Sequence, residues 1–318
     1  MKIAFAGKGG SGKTTLSALF TRYLVAHDLP VVTIDADINQ NLGAALGLTQ
    51  ERLASLRPLG THLTEIKELL RGDNPRISSA ETMIKTTPPG LGSRILEMTG
   101  DNPIHKRFGT DAEGATLMVT GPFSESDLGV ACYHSKVGAA ELYLNHLVDL
   151  PGEYVVVDMT AGADSFASGL FTRFDMTFLV AEPTVRGVGV YRQYADYARA
   201  HEVEIRVIGN KVQDEDDVRF LLEHTEGALA GYMTHSGFVR SMEKGRHPAL
   251  TDLEEDNMKT LALMRDTVDA TPKDWERFTR QSVEFHLRNT RAWAADATGA
   301  DLAAQVDPNF LMGPSALA

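Results

Sequence analysis

The sequence predicts an α/β fold, a doubly wound and mainly parallel sheet with helices on both faces, followed by a C-terminal helical extension. Short apolar runs alternate with longer stretches of helical periodicity, the pattern of β-α-β units. Those runs are apolar throughout rather than at every second residue, as in strands buried on both faces. The first run also passes straight into a glycine-rich loop that opens an amphipathic helix, TTLSALFTRYL.

Taken in order, the expected strands are Ile3–Ala6, Val31–Ile34, Leu117–Thr120, Tyr154–Val157, Thr177–Ala181 and Arg206–Gly209. Ligands of such sheets sit beyond the carboxyl ends of the strands, so the residues that close each run are where chemistry is expected. Those segments are Gly7–Thr15, Asp35–Asn41, Asp158–Gly162, Glu182–Thr184 and Asn210–Lys211. Between about residues 50 and 115 the pattern is broken by Pro58, Pro75, Pro88, Pro89, Gly90 and Gly92, which reads as an insertion over the edge or mouth of the sheet. In DWERFTRQSVEFHLRNTRAWAA the residues Trp275, Phe278, Val283, Phe285, Leu287 and Trp293 recur at helical spacing. The expected division is therefore an α/β domain over residues 1–260 and a helical extension over 261–318, with a loose tail from about Val306.

Composition narrows the function. With 43% hydrophobic and 23% charged residues, the 318-residue chain can build a sizeable core without metals or disulfides. A net charge of −12 opposes non-specific binding to nucleic acid, which rests on clustered Lys and Arg. The single cysteine, Cys132, excludes an intramolecular disulfide and fits a reducing compartment. The opening MKIAFAGKGG lacks the long apolar stretch of a signal peptide, and no run reaches the roughly 20 apolar residues that span a bilayer. A cytoplasmic location without membrane partners is the expectation.

Gly7-Lys8-Gly9-Gly10-Ser11-Gly12-Lys13-Thr14 satisfies G-x-x-x-x-G-K-[ST] between a strand and a helix, the context that a phosphate-binding loop requires. Gly9, Gly10, Ser11 and Gly12 let backbone N–H groups converge on phosphate oxygens, and Thr15 continues into the helix. Lys13 reaches the β and γ phosphates of ATP, and the Thr14 hydroxyl can ligate Mg²⁺. Asp158, an acid ending a hydrophobic strand, is placed to hold the same ion. A nucleotide with Mg²⁺ is thus the expected ligand, which the family resemblance that follows makes ATP or ADP.

Lys8, within the string KGGSGKTT, adds a resemblance to the deviant Walker A ATPases of the MinD, ParA, nitrogenase iron protein and arsenite-pump type. In that family the extra lysine crosses a face-to-face homodimer to the partner's nucleotide, which implies a catalytic role for Lys8 beside Lys13 and ATP-dependent dimerisation. Asp35-Ala-Asp37-Ile-Asn-Gln-Asn41 resembles the family's first switch, with Asp37 acting on the attacking water and Asp35 supporting the Mg²⁺ shell. The bland reading of the same acids is helix capping. Ile38 replaces the family's usual proline. Met159-Thr-Ala-Gly162 resembles the second switch, while Asn210-Lys211 and Glu182-Pro183 match segments that flank the adenine.

Within that family the sequence is most similar to the CooC type, which inserts nickel during maturation of carbon monoxide dehydrogenase. The similarity runs in one register over about residues 1–255, through Ile66-Lys67-Glu68-Leu69-Leu70, Val156-Val157-Asp158-Met159, Val180-Ala181-Glu182-Pro183, Gly209-Asn210-Lys211-Val212 and Gly231-Tyr232. The acidic balance argues against chromosome partition, the tail lacks the basic helix of a Min-type protein, and one cysteine is too few for a nitrogenase-type cluster. CooC-type chains carry C-x-C before a helix ending in His-Leu; aligned on Asn145-His146-Leu147, this chain offers Cys132 and His134. Two subunits would then pool a Cys₂His₂ set for Zn²⁺ or Ni²⁺ at the dimer axis. The alternative is a buried cysteine and a surface histidine, and Glu141 and His146 read more readily as packing or ion-pair residues. Two functions follow: a metallochaperone for a client metalloenzyme, or a regulatory switch controlling a partner protein without a metal.

Overall fold

The computed structural model describes residues 1–122, 133–162 and 169–317, with side chains throughout except at 133–135. Among them, eight strands form one sheet: β1 (Lys2–Gly7), β2 (Val31–Ala36), β3 (Thr110–Ala112), β4 (Ala115–Val119), β5 (Tyr154–Met159), β6 (Met176–Ala181), β7 (Ile205–Val212) and β8 (Leu229–Thr234). Their order is β8-β7-β6-β1-β5-β2-β4-β3, parallel except for the β3–β4 hairpin. All six strands expected from the apolar runs are present, with β7 extended to Val212.

Two strands of this sheet were not expected. β3 is three residues long and joins β4 through Glu113 and Gly114, both at positive φ (52° and 94°), the geometry of a type I′ turn. β8 reads LAGYMT, where a glycine and partial exposure at the sheet edge hide the strand pattern.

Alternation along each strand divides the core. Ile3 and Phe5 face one side, with Leu19 and Phe20 of α1 (Lys13–Val25). Ala4, Val32, Ile34, Val155 and Val157 face the other, beneath Ile66 and Leu70 of α2 (Leu63–Arg71) and Leu142 to Leu144 of α3 (Tyr133–His146). The region expected as an irregular insertion therefore closes one face of the sheet. Helices α4 (Val185–Ala200) and α5 (Glu215–His224) flank β6 and β7.

Residue 260 falls inside α6 (Glu255–Asp269), whose Leu261, Met264 and Val268 are buried in the same cluster as Ile3 and Phe5. The predicted helix is present as α7 (Trp275–Asn289) and continues into a π-helical turn at Thr290–Ala294. The tail is anchored rather than loose. Gln305 donates to the Thr82 carbonyl (3.0 Å), Asp307 accepts from the Leu91 N–H (3.1 Å), and Met312 is buried against Val148 and Phe278. Single anchors of this kind leave no periodicity for a sequence pattern to register. Among the described residues, no helix is long and apolar enough to cross a membrane.

Candidate functional site

β1 delivers the chain into the glycine-rich loop at a point where only glycine fits. Gly7 has φ +144°, and a Cβ there would lie 2.5 Å from the Val180 carbonyl oxygen of the neighbouring strand. At Gly12 φ is +98°, and a Cβ would meet Asn210 Nδ2 at 2.1 Å. The loop is braced from behind by the end of β7. Asn210 Nδ2 donates to the Ser11 carbonyl at 2.7 Å, and Lys211 Nζ donates to the Gly10 carbonyl at 2.9 Å while pairing with Glu182 Oε1 at 2.5 Å. Lys211 adopts φ +60° to do so. Pro183 follows Glu182 in the turn that leads to Thr184, whose hydroxyl caps α4.

Within the loop, Lys13 is buried and its Nζ donates to the Lys8 carbonyl at 3.3 Å. The Lys8 side chain is exposed. Ser11 is 2% exposed and its hydroxyl has no hydrogen-bond partner among the described residues. A buried orphan hydroxyl is costly unless a ligand supplies the partner, and an anion in the loop would supply it. Gly10, Gly12, Thr15, Asn210 and Lys211 border a cleft of about 340 Å³ that continues to Ser236 and Arg240. These last two follow β8 at its carboxyl end and were not foreseen, although Thr234-His235-Ser236-Gly237 closes a strand as the other site segments do.

Next to the loop are three oxygen donors. Thr14 Oγ1 donates to Asp158 Oδ2 at 2.6 Å, and Asp35 is the register partner of Asp158 across β2 and β5. Both acids are fully buried. Burial, and secondarily Asp158, pushes Asp35 well above the usual carboxylate range; burial pushes Asp158 to about 7 against the Thr14 bond and the Lys13 charge. Hard oxygen donors at sites that resist their own charge fit a divalent cation such as Mg²⁺.

The segment after β2 is organised by its own acids. Asp35 Oδ1 accepts from the Asp37 N–H (3.1 Å) and Oδ2 from the Leu42 N–H (2.8 Å) at the start of a short helix. Asp37 is 6% exposed, and its Oδ1 accepts from Asn39 N (2.9 Å) and Asn39 Nδ2 (3.0 Å). β5 ends at Met159, and Gly162 follows at φ +79° with its carbonyl accepting from the Tyr194 hydroxyl.

Cys132 lies outside the described residues, as does the side chain of His134. His146 is a core residue: its Nδ1 contacts the Leu142 carbonyl at 2.9 Å, and burial lowers its pKa to about 4. Glu141 is likewise buried, close enough to Arg173 to favour that residue's charge. Among the described residues, no group of three or more His, Cys, Asp or Glu is placed to hold a metal.

A complete phosphate loop at the carboxyl edge of a parallel sheet, with a hydroxyl and two acids beside it, defines a P-loop nucleotide hydrolase. The chain belongs to the CobQ/CobB/MinD/ParA nucleotide binding domain family, whose profile matches residues 2–226, and it is an ATPase. It is 30% identical to the carbon monoxide dehydrogenase accessory protein CooC of Rhodospirillum rubrum, over 71% of this chain and 80% of that protein. An uncharacterized ATP-binding protein of Methanocaldococcus jannaschii is 29% identical over 68% of this chain and 77% of its own length. A chain of the MinC:MinD cell division protein complex of Aquifex aeolicus shares the fold, with a TM-score of 0.55 at 16% identity over 86% of this chain and 97% of that one.

Proposed function

We propose that the chain is a dimerising ATPase that serves as a metallochaperone, delivering nickel or zinc to a client metalloenzyme during its maturation. The observation that carries this reading is the 30% identity to the CooC accessory protein over most of both chains. It is supported by Lys8 at the rim of the phosphate loop, by Cys132 next to the start of α3 in the sequence and by His134 in its first turn.

In this reading Gly9 to Thr15 hold the phosphates, Lys13 pairs with the β and γ oxygens, and Asn210, Lys211, Glu182 and Pro183 flank the base. Thr14, Asp158 and Asp35 would hold Mg²⁺, which when bound offsets charge on the phosphates. Asp37 orients a water that attacks the γ-phosphorus. The bond to the β–γ bridging oxygen breaks, leaving ADP and phosphate. Lys8 acts across the dimer, and Cys132 and His134 of two subunits hold the cargo ion.

The test is metal analysis with size-exclusion chromatography in ATP. Asp37→Asn is expected to accumulate as an ATP-bound dimer. One Ni²⁺ or Zn²⁺ per dimer, lost in Cys132→Ser, supports delivery. Equal metal content in wild type and Cys132→Ser, beside intact ATP-dependent dimerisation, leaves a metal-free switch acting on a partner protein.

A further inference from the structure

We propose that Gln40 is a positioning residue for ATP hydrolysis, fixing the backbone that carries Asp37 to the edge of β4. The proposal rests on the reading of Asp37 given above.

β2 ends at Ala36, so Asp37 lies just beyond the ladder bonds that fix the acid at Asp35. Asn39 fixes the carboxylate relative to its own loop, but that bond moves with the loop. The Asp37 N–H donates to Asp35 Oδ1 on its own strand (3.1 Å), while the bond that reaches across to the end of β4 comes from Gln40. Its backbone N–H donates to the Asp37 carbonyl at 3.3 Å. Its Nε2 donates to the same carbonyl at 2.5 Å and to the Asp35 carbonyl at 3.3 Å, and lies 3.4 Å from Asp35 Oδ1. Its Oε1 accepts from the Gly121 N–H at 3.2 Å.

Gly121 is a firm reference point. β4 is held in register with β2 through Asp35 and Val119, and Thr120 donates to the Asp35 carbonyl through its N–H (2.9 Å) and its hydroxyl (3.1 Å). Gly121 itself has φ +105°, with the Pro58 ring where a Cβ would stand, 2.7 Å away. Gln40 therefore refers the position of Asp37 to the sheet. It does so from φ +50°, a left-handed conformation that a glutamine adopts only under compensation from its surroundings.

Asparagine separates the two contributions. It tolerates the left-handed backbone better than glutamine but is one methylene too short for Gly121. Steady-state ATPase assays with ADP calorimetry are run on Gln40→Asn, Gln40→Ala and Gln40→Glu. All three are expected to lose about tenfold in kcat, with KM for ATP and affinity for ADP within about twofold of wild type. Glutamate loses it because a carboxylate cannot donate to the two carbonyls. In an Asp37→Asn background, measured by single turnover, Gln40→Asn should add no further loss, since Gln40 acts through Asp37. Wild-type turnover by Gln40→Asn, or a fully additive loss in the double variant, overturns the proposal. An Asp37→Asn protein that hydrolyses normally overturns the reading of Asp37 itself; an inactive Asp37→Asn beside a normal Gln40→Asn overturns the role of Gln40 alone.

Discussion

Asp35 and Asp158 stand side by side as register partners near the carboxyl ends of adjacent parallel strands, both buried, with Thr14 of the phosphate loop bonded to Asp158. Two carboxylates so placed oppose each other's ionisation, and burial opposes both. Because burial lifts Asp158 to about 7, the folded chain keeps this proton to a higher pH than the unfolded chain does. The nucleotide-free protein should therefore lose stability as pH rises from about 4 to about 7. Asp158→Asn should flatten that dependence and raise the nucleotide-free melting temperature at pH 8, by roughly 2–4 °C for each kcal/mol relieved. It should also remove the added stabilisation that Mg²⁺ gives the ATP complex. Differential scanning calorimetry across pH, with and without Mg-ATP, reads both; an unchanged pH slope in the variant refutes the assignment.

Lys13 and Lys8 should separate. Lys13 is buried in the loop and supplies side-chain charge to the phosphates, so Lys13→Ala should weaken ATP binding by about 100-fold or more, read by calorimetry. Lys8 is exposed, and Lys8→Ala should leave the affinity of the monomer within about threefold while abolishing ATP-dependent dimerisation and turnover. Equal losses of affinity in the two variants would contradict a role for Lys8 across a dimer.

His146 carries a pH dependence of opposite sign. It is buried with Nε2 lacking a partner among the described residues, and burial depresses its pKa to about 4, so below about 6.5 the unfolded chain takes up a proton that the folded chain does not. Stability from this group is present above pH 6.5 and is lost as pH falls towards 4, by about 2 kcal/mol at pH 5. Urea unfolding of His146→Met should show a smaller loss than wild type between pH 7 and pH 5. A variant with the same slope as wild type would mean that the imidazole titrates alike in both states.

What could be read from the sequence depended on how locally each feature is determined. The phosphate loop is contiguous, and its glycines answer to constraints that one strand and one helix impose, so Gly7 to Thr15 were legible in full. Asp35 and Asp158 were legible because strands ending in acids announce themselves. The pairing of Gln40 with Gly121 was not, since the two are 81 residues apart and neither belongs to a motif. The cleft at Ser236 and Arg240 depended on recognising β8, whose pattern is blurred by its place at the sheet edge. The packed tail escaped because isolated contacts, such as Met312 with Phe278, carry no period. The packing of α6, which spans residue 260, against α1 and β8 was hidden for a related reason, since a change of composition does not reveal such contacts.

Arg173 joins α7 to the turn that follows the second-switch region, and its removal should release that helix selectively. Its Nη1 donates to Asn145 Oδ1 (3.2 Å) and to the Phe278 carbonyl (3.0 Å), Nη2 donates to Thr172 Oγ1 (2.9 Å), and the guanidinium lies 4.3 Å from the Phe278 ring centre. Burial lowers its pKa to about 9, which still leaves it charged at neutral pH. Phe171, in the same turn, meets Phe285 of α7 edge to face with centroids 5.6 Å apart. Arg173→Ala would leave a cavity and strip partners from Asn145 and from the Phe278 carbonyl, a loss of about 3–5 kcal/mol. Arg173→Met keeps more of the volume and should cost less, yet both should raise amide exchange in α7 well above that in α1, which packs on the opposite part of the core. Hydrogen exchange by mass spectrometry decides it: protection lost evenly across α1 and α7 would show that Arg173 stabilises the whole fold rather than fastening its C-terminal helix.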